Sequence, residues 1–415
     1  MRATAAAIAS LLVTIGVAAQ AQNTGPESTP LSMKGGTAPA AAPFAVATVA
    51  KFDAPWAFAF LPDGRIIVTE KGGTIRIATQ AGKVSAPVSG VPGVAFQGQG
   101  GLLDIKLSPG FARDGLVYIT YAEPGDGGSS LALARGKLVG NALQGVKVLW
   151  RQMPKGAGGQ FGAIVTFAPD GRSLFLVSGE RQRFTPAQDP NQALGKILHL
   201  TLDGKPFPGN PGAGKTGAAS VSLLAPPKDS VAAESATGEK VALKGPNLAP
   251  AETWTSGHRN PYGLAFAPDG KLWSVEMGPK GGDELNLIEP GRNYGWPIVS
   301  NGDNYDDKPI ADHPSRPDLT APRLWWNPVI SPSSLIFYTG AKFPAWKGSA
   351  LIGGLSSKAM IRVSIDAAGH AREVERFDMG TRIRDVVQGA DGSVWLLEDG
   401  GRGSNGRLMK LTPKK

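Results

Sequence analysis

An Asp-Gly turn followed by a short apolar run recurs along this chain, and a repeat of that kind leaves few folds open. Pro62-Asp63-Gly64-Arg65-Ile66-Ile67-Val68 is the first copy. The turns at Asp114-Gly115, Asp170-Gly171, Asp269-Gly270 and Asp391-Gly392 each lead into a similar run. Asp-Gly flanked by β-rich residues signals a hairpin, because glycine reaches the left-handed backbone conformation that tight turns require. The aspartates are separated by 51, 56, 99 and 122 residues. An interval of about fifty residues suits one four-stranded propeller blade. An insertion inflates the third interval. The fourth leaves room for a blade without such a turn, and Ser349-Ala350-Leu351-Ile352-Gly353-Gly354 with Met360-Ile361-Arg362-Val363 offers two of its strands. Amphipathic helical periodicity is scarce. The pattern predicts an all-β chain, a six-bladed β-propeller over residues 43–414, with seven blades open where insertions stretch the spacing.

A chain of 415 residues is long enough for two or three average domains, but all-β architectures often keep such a length in one unit. Cysteine is absent, which excludes disulfides, thiolate metal sites and a cysteine nucleophile. The net charge of +9 comes without a long Lys/Arg run, so it reads as a diffuse basic surface, not a nucleic-acid groove. Arg2, the apolar stretch 5–19 and Ala19-Gln20-Ala21 have the form of a secretory signal over 1–21. That stretch is short for a membrane span, and no later segment is long and apolar enough to cross one. Residues 22–42, rich in Pro, Ala, Gly and Ser, read as a disordered leader. The mature protein is expected in the periplasm or secreted, with no integral membrane segment.

The insertion, residues 209–250, contains Gly209-Asn210-Pro211-Gly212-Ala213-Gly214-Lys215-Thr216, a letter-for-letter phosphate-loop pattern. That motif works only between a buried strand and a helix. Here a Pro-rich stretch precedes it and a Ser/Ala/Pro-rich tract follows, so the expected structure is a flexible surface loop.

The densest chemistry lies in Thr253-Trp254-Thr255-Ser256-Gly257-His258-Arg259-Asn260-Pro261-Tyr262-Gly263, in Glu276-Met277-Gly278-Pro279-Lys280-Gly281-Gly282-Asp283-Glu284 and in Asn293-Tyr294-Gly295-Trp296-Pro297. Charged and amide side chains sit there among Gly and Pro, just outside short apolar runs, where a rigid scaffold presents polar groups to a ligand. With Pro55-Trp56-Ala57-Phe58, Gln99-Gly100-Gly101-Leu102-Leu103, Ala187-Gln188-Asp189 and Arg382-Ile383-Arg384-Asp385, the series resembles the glucose/sorbosone dehydrogenase family from about residue 45 onward. The resemblance implies a six-bladed propeller that uses pyrroloquinoline quinone (PQQ) and calcium to oxidise a small-molecule sugar or related alcohol, with an external electron acceptor.

It also implies roles. Arg382 and Arg384 match carboxylate-binding arginines; at i and i+2 on a strand they point the same way, although solvated strand arginines would look alike. Arg259 and Asn260 match the pair beside the quinone's reactive carbonyl, where a turn would also use Asn-Pro. Gly278 and Pro279 match backbone calcium ligands, and a tight turn alone would use Gly-Pro. Gln99 matches a substrate-facing glutamine at the rim, a place an ordinary polar cap would also fill.

Two positions depart from the pattern. Gln160-Phe161-Gly162-Ala163-Ile164 stands where the family carries its histidine general base, and glutamine does not titrate in the accessible range. Ser356 stands where a cofactor-binding lysine is expected, with Lys358 two residues on as a substitute from a slipped loop. Of the four histidines, only His258 adjoins the site, and a structural role suits it better than that of a displaced base. Three readings remain: a quinoprotein oxidoreductase, a catalytically impaired propeller that binds a ligand, glycan or protein, and a calcium-dependent hydrolase, whose carboxylate-and-asparagine metal cage is not identifiable here.

Overall fold

The structure is a computed structural model that describes residues 42–414; the signal and almost all of the leader lie outside the described residues. Six antiparallel sheets form the body. In blade one the strands are Pro55–Phe60, Ile66–Glu70 and Thr74–Ala78. The innermost strands of the other blades are Leu102–Leu107, Gly162–Phe167, Pro261–Phe266, Pro332–Phe337 and Ile383–Gln388. Each inner strand touches those of its two neighbours, and the sixth returns to the first, so the ring closes. The blade without an Asp-Gly turn is the fifth, and its second and third strands, Ala350–Gly354 and Ala359–Ile365, coincide with the two apolar runs read from the sequence.

The repeated aspartate has a uniform task. Its Oδ1 accepts the N–H two residues on, from Arg65, Leu116, Arg172, Lys271 and Ser393, at 2.8–3.1 Å. This local bond favours the turn, and the following glycine takes φ between 65° and 84° in all five.

Ring closure uses both ends of the described chain. Phe44–Lys51 adds to blade six as its outer strand, paired antiparallel with Arg407–Pro413. Phe44 is buried and sits edge-on to Phe343, Trp346 and Phe377, with ring centroids 5.2–6.5 Å apart. Every junction between blades also carries a polar bond near the axis. Thr69 Oγ1 donates to Leu103 O at 2.7 Å, Val165 N to Asp104 Oδ2 at 2.8 Å, and Gly162 N to Asn260 Oδ1 at 3.2 Å. Ile330 N donates to Asp283 Oδ2 at 2.7 Å, Ser333 Oγ to Ile383 O at 2.6 Å, and Phe58 N to Asp385 Oδ2 at 3.2 Å. Each is worth about 1 kcal/mol net when made and more when one partner is lost. The bonds fix how adjacent inner strands are staggered, and hence where their first residues stand.

Residues 209–250 lie between the third and fourth strands of blade three. They are ordered into a ribbon of Ser220–Leu223 with Glu239–Ala242 and a short helix, Ser230–Ser235. The insertion therefore carries secondary structure of its own. The phosphate-loop lookalike runs through turns into the ribbon strand with no helix after it, so it lacks the N–H cradle such a site needs.

Candidate active site

Each inner strand starts at one end of the ring and its hairpin partner finishes there. Pro55 faces Glu70, Pro261 faces Glu276, Pro332 faces Gly354 and Ile383 faces Glu398. Residues just before an inner strand and just after its partner therefore share one axial mouth. Arg259, Asn260, Gly278, Pro279, Arg382, Ser356 and Lys358 all occupy such positions, and Arg384 is one residue inside.

Arg259 is the hub. It is 6 % exposed, with Nη1 donating to Gly278 O at 2.8 Å and Met277 O at 3.1 Å, and Nη2 to Tyr305 Oη at 3.2 Å. Its guanidinium also lies 5.3 Å from the Trp296 ring centre and 5.7 Å from that of Tyr305, in cation–π range. Its buried Nε has no partner. Asn260 is buried and tied to Gly162 N, so its amide serves the junction between blades three and four.

Gln160 lies against Arg259. With its amide oxygen toward the guanidinium, the orientation that satisfies both ends, it accepts from Arg259 Nη2 at 2.8 Å and donates to Glu180 Oε1. Glu180 is almost wholly buried and accepts the backbone N–H groups of Gln182, Arg183 and Phe184. Burial pushes its carboxyl above the usual range, opposed by the Arg259 charge and these three donors. Gln160, Arg181, Gln182 and Phe184 all have φ between 52° and 66°, a conformation costing of order 1 kcal/mol or more per non-glycine residue. Arg181 holds these loops in place. Its guanidinium donates to the carbonyls of Ser129, Gly156, Gly158 and Gly159 and stacks 3.9 Å from the Phe161 ring centre, and burial pulls it down to about 9.

A cavity of about 460 Å³ opens over Gln160 and Arg259, bordered by Glu180, Trp296 and Tyr305. Pro226–Ser230 of the insertion forms its outer wall. Ser230 N and Oγ both bond to Asp306 Oδ2, at 3.2 and 2.7 Å, which ties that wall to the Tyr305 loop.

A chain of contacts links this cavity to the arginine pair. Gln99, exposed at the rim, has Oε1 accepting from Gln160 N at 2.8 Å and Tyr262 Oη at 3.3 Å; Arg384 lies 5.9 Å from the Tyr262 ring centre. Arg382 and Arg384 share Asp399, at 2.9 and 3.1 Å. Lys358 stands apart, exposed at φ 51° and making no hydrogen bond or ion pair with this set. Ser356 is exposed and bonds Val329 O at 3.1 Å.

None of the four histidines reaches the cavity. His258 is fully buried, with Nδ1 2.9 Å from Glu276 Oε1, Nε2 2.9 Å from Thr255 Oγ1 and its ring on Tyr294. His199 is sandwiched between Phe175 and Phe207, and burial lowers it to about 4. His313 lies 3.4 Å from Glu284 and His370 pairs with Asp366. Both nitrogens of His258 are committed, which removes the displaced base considered from the sequence.

The donor set suits the expected groups. An acidic cofactor would meet Arg382 and Arg384. The Gly278 carbonyl already faces a cation, Arg259, and carbonyl oxygens are suitable ligands for calcium. Among the described residues no group of three or more His, Asp or Glu could hold a metal, so a calcium ion here would rest on backbone carbonyls and on the cofactor. Asp283, just behind, is saturated by the N–H groups of Gly278, Ile330 and Ser331.

Glu180, Tyr305, Asp399 and Lys71 went unread in the sequence, although the repeat carried a signal for Lys71 and Asp399. Lys71, Met277 and Asp399 each stand eight residues after the turn aspartates Asp63, Asp269 and Asp391, which is the distance back up the second strand to the mouth.

The family model for glucose/sorbosone dehydrogenases matches residues 52–222 and 235–410. Aldose sugar dehydrogenase YliI of Escherichia coli (strain K12) is 36% identical over 377 residues, covering 88% of this chain and 91% of that protein. The crystal structure of the soluble aldose sugar dehydrogenase from Escherichia coli in its apo form superposes with a TM-score of 0.76 at 34% identity, over 89% of this chain and 100% of the other. The PQQ-bound aldose sugar dehydrogenase from Streptomyces coelicolor gives 0.65 at 27% identity, over 91% and 100%.

Proposed function

The chain belongs to the glucose/sorbosone dehydrogenase family, and from that premise we propose that it is an exported dehydrogenase dependent on PQQ and calcium. It would oxidise the anomeric hydroxyl of an aldose slowly, because Gln160 stands in the place of the general base. The observation that carries this reading is the placement at one axial mouth of Arg259, Gln160 and the Gly278 carbonyl beside the Arg382–Arg384 pair.

When bound, the quinone supplies a two-electron acceptor for hydride from the sugar carbon. The protein's part is electrostatic and steric. Arg259 is held by two carbonyls and two aromatic rings, so its charge needs no reorganisation to stabilise negative charge developing nearby. Gln99 presents its amide at the rim to a substrate hydroxyl, and residues 226–230 wall the space over Gln160 and Arg259. Gln160 can orient a hydroxyl but cannot take its proton. Glu180 sits behind Gln160 with its oxygens already engaged by backbone N–H groups, which leaves water as the proton acceptor. Electrons leave to an external acceptor. The signal-like segment 1–21 supports export to the periplasm or medium. Among the described residues no helix is long and apolar enough to cross a membrane.

The substitutions at 160 and 356 also favour a second reading, a propeller that keeps the pocket as a binding module. One experiment separates the two. The calcium-loaded protein is incubated with the quinone, freed of excess, and its absorbance followed as aldoses are added. Bleaching of a bound chromophore supports the dehydrogenase, binding without bleaching the module, and no binding removes the quinone reading.

A further inference from the structure

Lys71 lies at the seam between blades one and two, where its N–H donates to Ala54 O at 2.9 Å and its carbonyl accepts from Leu102 N at 3.0 Å. Ala54 in turn packs on the turn after Asp399: a Cβ placed on Gly400 would come within 2.3 Å of Ala54 Cα. The Lys71 turn and the Asp399–Gly400 turn therefore touch, at the mouth where Arg382 and Arg384 stand. The charges of Arg384, Arg382 and Arg402 all bear on Lys71 there, opposed by the carboxylate of Asp399, which in turn feels Arg384, Arg382 and Lys71. Both Asp399 oxygens are taken, Oδ2 by Arg382 and Oδ1 by Arg384. The nearby Glu70 and Glu398 are committed elsewhere, to Asp53 N and Arg76, and to Arg407 and Thr381.

The Lys71 ammonium is thus half-buried with no hydrogen-bond or ion-pair partner, in a patch carrying an excess of positive charge. Burial first, then the Arg384 charge, lowers its pKa, since both disfavour the charged form. Ser356 contributes no charge, and Lys358 is exposed and apart.

We propose that Lys71 completes the anion cradle of Arg382 and Arg384 and binds a carboxylate of the acidic quinone, in place of the lysine that the family pattern puts at Ser356. This rests on the cofactor reading above. The test is equilibrium titration of the calcium-loaded protein with PQQ, followed by tryptophan fluorescence and salt dependence, for wild type, Lys71→Met, Lys71→Arg and the double variant Lys71→Met with Ser356→Lys. A charge-assisted bond to a carboxylate predicts a Kd raised about tenfold or more for Lys71→Met and a weaker salt dependence. Lys71→Arg should bind nearly as wild type, and the double variant should recover part of the loss. Without ligand, Lys71→Met should melt no lower than wild type, because it relieves like-charge repulsion; a merely structural lysine would do the opposite. Wild-type quinone binding that Lys71→Met leaves unchanged overturns this assignment alone. Failure of the wild type to bind the quinone overturns the cofactor reading and this assignment with it.

Discussion

Replacing Gln160 by histidine tests the chemistry at its narrowest point. The glutamine is buried between Glu180 and Arg259, accepting from one guanidinium nitrogen at 2.8 Å and donating to the carboxylate. A histidine there would put one ring nitrogen toward Glu180, which fixes its tautomer, and the other toward the cavity. It forfeits the bond to Arg259, a cost of about 1–3 kcal/mol in stability. It gains a titratable acceptor. Positioned general-base catalysis is worth about 10²–10⁴-fold. Glu180 already shares its oxygens with three backbone N–H groups and is a weakened partner, so the lower end applies and turnover should rise about 10²-fold. Free imidazole titrates near 6.5 by rule, at about that value in peptides, and the neutral form is the base. The added activity should therefore appear as pH rises through the imidazole pKa, while wild-type turnover lacks that step. The assay is steady-state oxidation of aldoses by quinone-loaded protein with an artificial acceptor between pH 5 and 9, with quinone affinity measured in parallel. Unchanged turnover at unchanged quinone affinity would refute the argument that the missing base limits the rate. Wild-type turnover on the order of 1–10³ s⁻¹, the ordinary enzyme range, would do so as well, by showing that another group takes the proton.

Three further outcomes follow from the geometry. Phe44→Ala removes a ring packed against three aromatic partners at the strand that closes the ring, and should cost about 3–5 kcal/mol, read as a lowered denaturation midpoint at constant m-value. Glu252, buried and accepting from Trp150 Nε1 at 2.9 Å, has its carboxyl pushed up by burial to about 7. Because the folded value exceeds the unfolded one, its contribution to stability is present below about pH 4.5 and is lost as pH rises through 7; Glu252→Gln should match wild type in unfolding free energy near pH 4.5 and exceed it at pH 8, by at most about 3 kcal/mol at 1.36 kcal/mol per unit. Asp306→Ala frees Ser230 and the insertion wall, and should raise KM for a monosaccharide severalfold while improving the relative kcat/KM of a disaccharide, with little change in melting temperature; an unchanged ratio would separate the wall from substrate selection.

The architecture was legible because it is written in a local code. Each Asp-Gly turn is stabilised by its own aspartate within two residues, so short sequence windows contain the physics, and the interval between windows counts blades. The mouth is made by residues brought together from all six blades. Arg259 and Arg384 were readable as types, but their partners were not: the carboxylate shared by Arg382 and Arg384 comes from fifteen to seventeen residues downstream, and the glutamine that meets Arg259 lies in another blade. The secondary structure of the insertion was unread for a related reason. Its Gly, Ala and Pro content describes a weak local preference, whereas its ribbon pairs across fifteen intervening residues and its wall is tied by Asp306, 76 residues away from Ser230.

The same separation keeps residues 160 and 356 apart from the bonds that hold the ring. The inner-strand bonds that join the blades use Thr69, Asp104, Asn260, Asp283, Ser333 and Asp385, and neither Gln160 nor Ser356 is among those side chains. Substitution at the mouth therefore alters chemistry with little penalty to the ring. Asn260 is the exception, since its amide oxygen joins blades three and four while the residue stands beside Arg259. A change there would register at the junction between blades and in the site together, whereas a change at 160 or 356 leaves the bonds that join the blades intact. Family membership thus fixes the scaffold of this chain and leaves its turnover to the Gln160→His measurement.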